Sequence, residues 1–113
     1  MFAFLTHEEF AAQYLSKFES SNEKVTIEDV KKAEPNGPTV DWVSYGAVSP
    51  VKNQGSCTAS YAFSAVGAIE AISVIFYKNQ TEFSVQQLVD CSQTYGNSGC
   101  VTGNMVNSFN FIK

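Results

Sequence analysis

The residues best suited to chemistry lie between Asn53 and Ser64, where a glutamine, a cysteine and a serine precede a long apolar stretch. Ser60 stands where that stretch begins, and a hydroxyl there could attack a carbonyl carbon in acyl transfer. A serine nucleophile needs a general base within hydrogen-bond reach. His7 is the only histidine, and we interpret it as a solvated residue in the first turn of a helix. Ser60 therefore has two interpretations, a nucleophile in a larger assembly or a helix N-cap that contributes about 1 kcal/mol.

The elements that must position these residues are mainly helical. The apolar stretch predicts a helix from Ser60 to about Tyr77, with Glu70 as its only charge. Because a helix that is apolar all round has no face suited to water, we expect it to be buried on most sides. Shorter helices are predicted after Ser84, a suitable N-cap, and from Asn104 to Ile112. A glycine-rich loop at positions 96–103 lies between them.

The first third of the chain has a different organisation. Thr6 and Glu9 fit a capping box and predict a helix from about His7 to Lys17, and Thr26 begins a second short helical pattern. Pro35–Pro38 contains the strongest structure breaker in the sequence. We therefore expect a leader over residues 1–37 and a compact domain over residues 38–113.

Composition excludes several classes of function. The 113 residues are 44% hydrophobic and 16% charged, which is typical of a globular domain and predicts no membrane span. The net charge is -4 and arginine is missing, so a nucleic-acid partner is not expected. No residue pattern calls for a metal or another cofactor.

The sequence leaves the cellular compartment open. The N-terminus lacks the basic and apolar regions of a signal peptide. Three cysteines near glycines and turns favour an oxidising compartment, and an odd count leaves one thiol without a partner. Asn79-Gln80-Thr81 is a glycosylation sequon, which supports secretion only weakly because such triplets occur by chance.

Four separated motifs, in order, resemble the papain family of cysteine peptidases, of the cathepsin L type. They are the leader segment Leu5-Thr6-His7-Glu8-Glu9-Phe10, the segment from Asp41-Trp42 to Gln54-Gly55 that resembles the start of the mature enzyme, Phe83-Ser84-Val85-Gln86-Gln87-Leu88-Val89-Asp90-Cys91-Ser92, and Gly99-Cys100 with Gly103 and Met105. The resemblance covers nearly the whole chain. It is specific because chance would not place four motifs in this order.

This resemblance implies an α+β papain-like fold, of which the chain contributes the end of an inhibitory prosegment and the helical left lobe. The right lobe, a β-barrel with the catalytic His and Asn, would be missing. Cys57 would pair with Cys100, while the partner of Cys91 would lie just beyond Lys113. By the same resemblance the compartment would be lysosomal or secretory.

The resemblance also assigns roles at the site. Ser60 stands at the nucleophile position, where the family has cysteine, and Gln54 at the oxyanion-hole position, although Gln54 could equally cap a loop. Thr58 and Thr102 replace glycines and add a Cβ where substrate backbone should approach. Gly103 matches the wall of the pocket that binds the substrate's second side chain. Met105 either forms the apolar floor of that pocket or belongs to the core.

These departures predict a non-catalytic pseudopeptidase that acts as a binding or structural subunit, with a protein partner covering the face that the right lobe would occupy. One alternative is a cysteine-type endopeptidase, or a serine variant like the silicateins, if a second chain or a continuation supplies His and Asn. Peptide would be a substrate only in that case. A further alternative is a prosegment-type peptidase inhibitor acting through Thr6–Tyr14.

Overall fold

The computed structural model describes residues 4–15 and 39–113, and within those ranges all regular structure is helical. The predicted helical architecture is confirmed. The elements in chain order are α1 (His7–Tyr14), α2 (Ser60–Tyr77), α3 (Val85–Cys91), a 3₁₀ turn (Gln93–Tyr95) and α4 (Met105–Ile112).

Local capping explains where three of these helices begin. The Thr6 hydroxyl accepts from the Glu9 backbone N–H at 3.2 Å, and the Glu9 carboxylate accepts from the Thr6 N–H at 2.8 Å, so the predicted capping box is confirmed. Ser84 caps α3 and Asn104 caps α4, each by accepting a backbone N–H three residues on.

The leader helix ends earlier than predicted. Its C-cap, Leu15, is extended at φ -103° and ψ 129°, so α1 stops at Tyr14. The expected end near Lys17, the helical pattern at Thr26 and the breaker Pro35–Pro38 lie outside the described residues.

The core forms where α3 and α4 pack against α2. Ala62 and Ala65 have no exposed surface, because small side chains on α2 let the other helices approach closely. The buried apolar cluster is completed by residues of α2, its N-cap and α3, against which Phe111 of α4 packs: Ala59, Tyr61, Val66, Leu88 and Val89.

The expectation that α2 is buried on most sides is wrong. Only five of its 18 residues are buried, and these lie between Tyr61 and Glu70. Ile72, Phe76 and Tyr77 are 49%, 74% and 78% exposed. The reason is that α3 and α4 pack against α2, and the Ser49 and Phe83 segments contact it at Glu70, whereas no residue of the helix beyond Glu70 is buried.

Length and composition alone would allow α2 to cross a membrane, since its 18 residues have a mean hydropathy of 1.4. Of that span, 28% is buried inside the protein, and the buried part includes the charged Glu70. A helix at the centre of a globular core satisfies the same length and composition, and its contacts with α3 and α4 are those of a core helix.

A buried polar network fixes the glycine-rich loop. The Asn97 side-chain amide donates to the Ser92 hydroxyl at 2.9 Å and to the Ser108 hydroxyl at 3.2 Å. Its carbonyl oxygen accepts from the Asn104 backbone N–H at 3.0 Å. Asn97, Ser92 and Ser108 are all buried. Because each buried polar group has a partner, the network holds the loop firmly against the start of α4.

Candidate active site

Ser60 is the first residue of α2 and is exposed. The N-cap is Ala59, at φ -97° and ψ 29°, and it makes no side-chain capping bond. Its carbonyl accepts from the N–H groups of Ala62 and Phe63, so the helical hydrogen bonds start one residue before Ser60. The interpretation of Ser60 as the N-cap is therefore wrong, and its hydroxyl stands at the positive end of the helix dipole.

A cavity of about 820 Å³ lies between the leader helix and the domain. Phe10, Tyr14 and Leu15 line it on the leader side, and His7 is not among its lining residues. On the domain side the lining brings together two predicted site residues, Gln54 and Ser60, with Gly55, Phe63, Val66, Glu70 and Val85 nearby.

Gln54 points toward the leader. Its side-chain amide nitrogen donates to the backbone carbonyl of Tyr14 at 3.1 Å. The loop that presents it turns at Gly55, which has a positive φ of 63° and donates its N–H to the Asn53 side chain at 2.8 Å. The amide assigned by resemblance to an oxyanion hole thus holds a peptide carbonyl of this same chain.

Thr58 and Cys57 connect the loop before α2 to the glycine-rich loop. Cys57 and Cys100 form a disulfide, which confirms the pairing that the resemblance implied. Beside it the Thr58 hydroxyl donates to the Cys100 carbonyl. Cys91 is a free, exposed thiol. The loop before α2 and the glycine-rich loop are therefore joined covalently.

The predicted substrate wall at Thr102, Gly103 and Met105 lies on the glycine-rich loop and at the start of α4. The Ser98 N–H donates to the Thr102 carbonyl at 2.7 Å, which closes the loop, and Met105 is 41% exposed. None of these three residues lines the large cavity with Ser60. Their role in substrate binding stays a prediction.

Gly103 has a structural reason to be glycine. A Cβ at this position would lie 2.7 Å from ring atoms of Tyr61 and 2.8 Å from the Asn97 side-chain oxygen. The Tyr61 hydroxyl donates to the Gly99 carbonyl at 3.0 Å, so the ring cannot swing away without losing that bond. Burial raises the pKa of the Tyr61 phenol, with a smaller opposing effect from Ser92, so the hydroxyl stays a donor well into alkaline pH.

We expect Gly103→Ala to lower the free energy of unfolding by about 1–3 kcal/mol, because the added methyl overpacks a buried ring and a buried amide. Gly67→Ala is the matched control, since nothing lies within 4 Å of its Cβ and it is on α2. Alanine there should stabilise the protein by up to about 1 kcal/mol. Urea denaturation of both variants measures the difference, and equal stabilities would contradict this packing.

Sequence reasoning missed the role of Glu70. Glu70 is only 3% exposed, and its carboxylate accepts from the Ser49 hydroxyl at 2.6 Å and from the Phe83 N–H at 3.0 Å. It thereby joins α2 to the segment before it and to the segment that leads into α3. The sequence did carry a signal for this role, because Glu70 is the only charged residue in an apolar helix. A buried charge is stable only when it has hydrogen-bond partners, so such a residue indicates a contact with another segment.

Residues 37–113 match the papain family cysteine proteases. The chain belongs to this family. It is 41% identical over 115 residues to cysteine proteinase 6 of Dictyostelium discoideum, covering 99% of this chain and 26% of that protein. It is 39% identical over 122 residues to a cathepsin L-like peptidase of Aedes aegypti, covering 99% of this chain and 36% of that protein.

The fold agrees with solved papain-family structures. Superposition on the Amb a 11 cysteine protease, a major ragweed pollen allergen, in its proform gives a TM-score of 0.78 at 36% identity, covering 98% of this chain and 36% of that one. The chain thus spans about a quarter to a third of the length of these papain-family proteins. Within the described ranges, no group of three or more His, Cys, Asp or Glu residues could hold a metal ion.

Proposed function

We propose that this papain-family lobe is non-catalytic and that its cleft binds an extended polypeptide segment. The observation that carries the proposal is the hydroxyl of Ser60 at the start of α2, where the family resemblance puts a cysteine thiol. The lobe would then act as a binding or structural subunit.

The chemistry of the two side chains supports this proposal. A thiol at a helix N-terminus beside a His cation can have a pKa of roughly 3 to 4, so the thiolate exists at neutral pH. A serine hydroxyl is not ionised by a helix dipole and needs a neighbouring base to remove its proton. The only histidine of this sequence, His7, is exposed in the first turn of α1 and does not line the cavity.

Contacts at Gln54 support a binding role. Its amide already donates to the carbonyl of Tyr14, and Phe10 and Tyr14 line the cavity beside it. A cleft that holds peptide backbone in this way suits a peptide ligand. We assign the leader, residues 1–37, to the end of a prosegment, and its described residues Phe10, Tyr14 and Leu15 lie on the cavity where such a ligand would bind.

A protein partner would cover apolar surface that the described residues leave open. Val51 is fully exposed beside the cavity, and Val48 is 49% exposed. Exposed apolar residues grouped at a cleft favour an interaction surface. We assign this surface to the partner that replaces the right lobe.

The test compares the purified wild-type chain with Ser60→Ala, Ser60→Cys and Ser64→Ala. We expect a fluorophosphonate probe for serine hydrolases to label none of them above background, because His7, the only histidine of the sequence, does not line the cavity with Ser60. Because Cys91 is already a free thiol, Ser60→Cys should react with one more equivalent of a thiol reagent than the wild type does and yet leave peptide hydrolysis at background. Ser64, an exposed serine one turn along the same helix, is the matched control.

Labelling that disappears in Ser60→Ala and persists in Ser64→Ala would contradict the non-catalytic proposal. Sedimentation of the same samples tests the binding part. A lobe that needs a partner should self-associate when it is alone, whereas a monodisperse monomer at high concentration would count against the partner surface.

The second candidate is peptide hydrolysis, as a cysteine-type endopeptidase or a silicatein-like serine variant. The placement of Ser60 and Gln54 in one cavity favours it, since a nucleophile and an oxyanion donor must lie close together. It requires His and Asn from a second chain or a continuation. Amide hydrolysis by the native assembly that is lost in Ser60→Ala would establish it, and inhibition of another papain-family protease by the intact chain would favour the inhibitor alternative.

A further inference from the structure

A site outside the cleft lies just past the end of α2. Asn79-Gln80-Thr81 is the only Asn-X-Ser/Thr triplet in the sequence, and X is not proline. We propose that Asn79 is an acceptor for an N-linked oligosaccharide. This proposal is independent of whether the lobe is catalytic.

The backbone around Asn79 is fixed while its side chain stays available. Lys78 ends α2 in the left-handed conformation at φ 56°, and the Asn79 N–H donates to the Ser73 carbonyl. The Asn79 carbonyl then accepts from the Ser73 hydroxyl at 3.0 Å. The Asn79 residue is exposed, and within the described ranges its side-chain amide makes no hydrogen bond. A glycan on this nitrogen would therefore break no existing contact.

The surface next to Asn79 suits a sugar chain. Phe76 and Tyr77, one turn back on α2, are 74% and 78% exposed. Two neighbouring exposed aromatic rings are a liability for solubility. A bulky polar oligosaccharide at Asn79 would lie over this end of the helix and shield the rings from other chains.

The disulfide points to the same compartment. Cys57 and Cys100 are bonded, and structural disulfides persist mainly in the oxidising lumen of the secretory pathway and beyond it. N-linked glycosylation takes place in that lumen. The two features come from separate parts of the chain, so each supports the other.

The transfer uses a lipid-linked oligosaccharide diphosphate as the donor. The side-chain nitrogen of Asn79 forms a bond to C1 of the first sugar, and the bond between C1 and the diphosphate oxygen breaks. The lipid diphosphate leaves with that electron pair, and the nitrogen loses one proton. Nothing is oxidised or reduced, and Thr81 supplies the hydroxyl that defines the acceptor triplet.

The consequence concerns the orientation of any partner. A glycan at Asn79 would keep other proteins away from the C-terminal end of α2. A partner would then have to bind at the other end of the helix, where Ser60 and the cavity lie.

The experiment translates the full chain behind a cleavable signal peptide, in the presence of microsomal vesicles that contain the lipid-linked donor. We expect the protease-protected chain to show one stepwise increase in apparent mass on a gel, which a peptide N-glycosidase reverses. Asn79→Gln and Thr81→Ala should abolish the step, whereas Thr81→Ser should keep it. Asn110→Gln, which changes an exposed asparagine outside any sequon, is the matched control.

A second measurement asks whether the folded lobe accepts the glycan. The modified chain should contain the Cys57–Cys100 disulfide, detected as a mobility difference between reducing and non-reducing gels that is lost in a Cys57→Ala/Cys100→Ala variant. A protected chain without the glycan step would overturn the proposal. So would a step that survives in Asn79→Gln, or a glycosylated chain that cannot form the disulfide.

Discussion

The double variant Cys57→Ala/Cys100→Ala should unfold with a free energy about 4 kcal/mol lower than that of the wild type. The two cysteines are 43 positions apart, and a crosslink across a loop of this size removes much of the conformational freedom of the unfolded chain. The neighbouring bond from Thr58 to the Cys100 carbonyl cannot compensate, because it is a single hydrogen bond. Urea denaturation followed by circular dichroism under non-reducing conditions measures the loss.

Cys91→Ser is the control for this experiment. Its thiol is free and exposed, so we expect a change within about 0.5 kcal/mol. Adding a reductant should destabilise the wild type and Cys91→Ser to the level of the double variant, and should leave the double variant unchanged. A double variant as stable as the wild type would mean that the crosslink contributes little to this fold.

Replacing Glu70 with alanine should cost about 3 kcal/mol, because two hydrogen bonds to a buried carboxylate are lost and their donors remain without an acceptor. The donors are the Ser49 hydroxyl and the Phe83 N–H. Ser49 and Phe83 both lie outside the helices. Because the Phe83 N–H would lose its bond to Glu70, we also expect faster amide hydrogen exchange at Phe83. Denaturation and hydrogen exchange measure the two effects.

Two variants separate the hydrogen bonds of Glu70 from its charge. In Glu70→Gln the side-chain carbonyl oxygen can still accept from the Phe83 N–H, and the side-chain NH₂ group can donate to the Ser49 oxygen. This variant should therefore keep most of the wild-type stability. Ser49→Ala removes one bond and should cost about half as much as Glu70→Ala. If Glu70→Gln is as unstable as Glu70→Ala, the charge rather than the hydrogen bonds supports the fold.

Much of the fold could be predicted because its signals are local. Thr6, Ser84 and Asn104 each cap a helix through a bond to a backbone N–H three residues away, so the sequence alone indicates where those helices begin. The same logic misplaced Ser60 by one position. The helix there starts from the carbonyl of Ala59, which no side-chain pattern reveals.

The sequence by itself determined the family, the main helices and, through the family resemblance, the disulfide partners. Only the tertiary structure decided that the burial of α2 ends at Glu70, that Gln54 donates to the Tyr14 carbonyl, and that Glu70 and Asn97 hold loops in place. Gln54 and Tyr14 are 40 positions apart, and Glu70 and Ser49 are 21 apart. Helix caps act within one turn and leave a local pattern, whereas bonds between distant segments depend on how the whole chain packs.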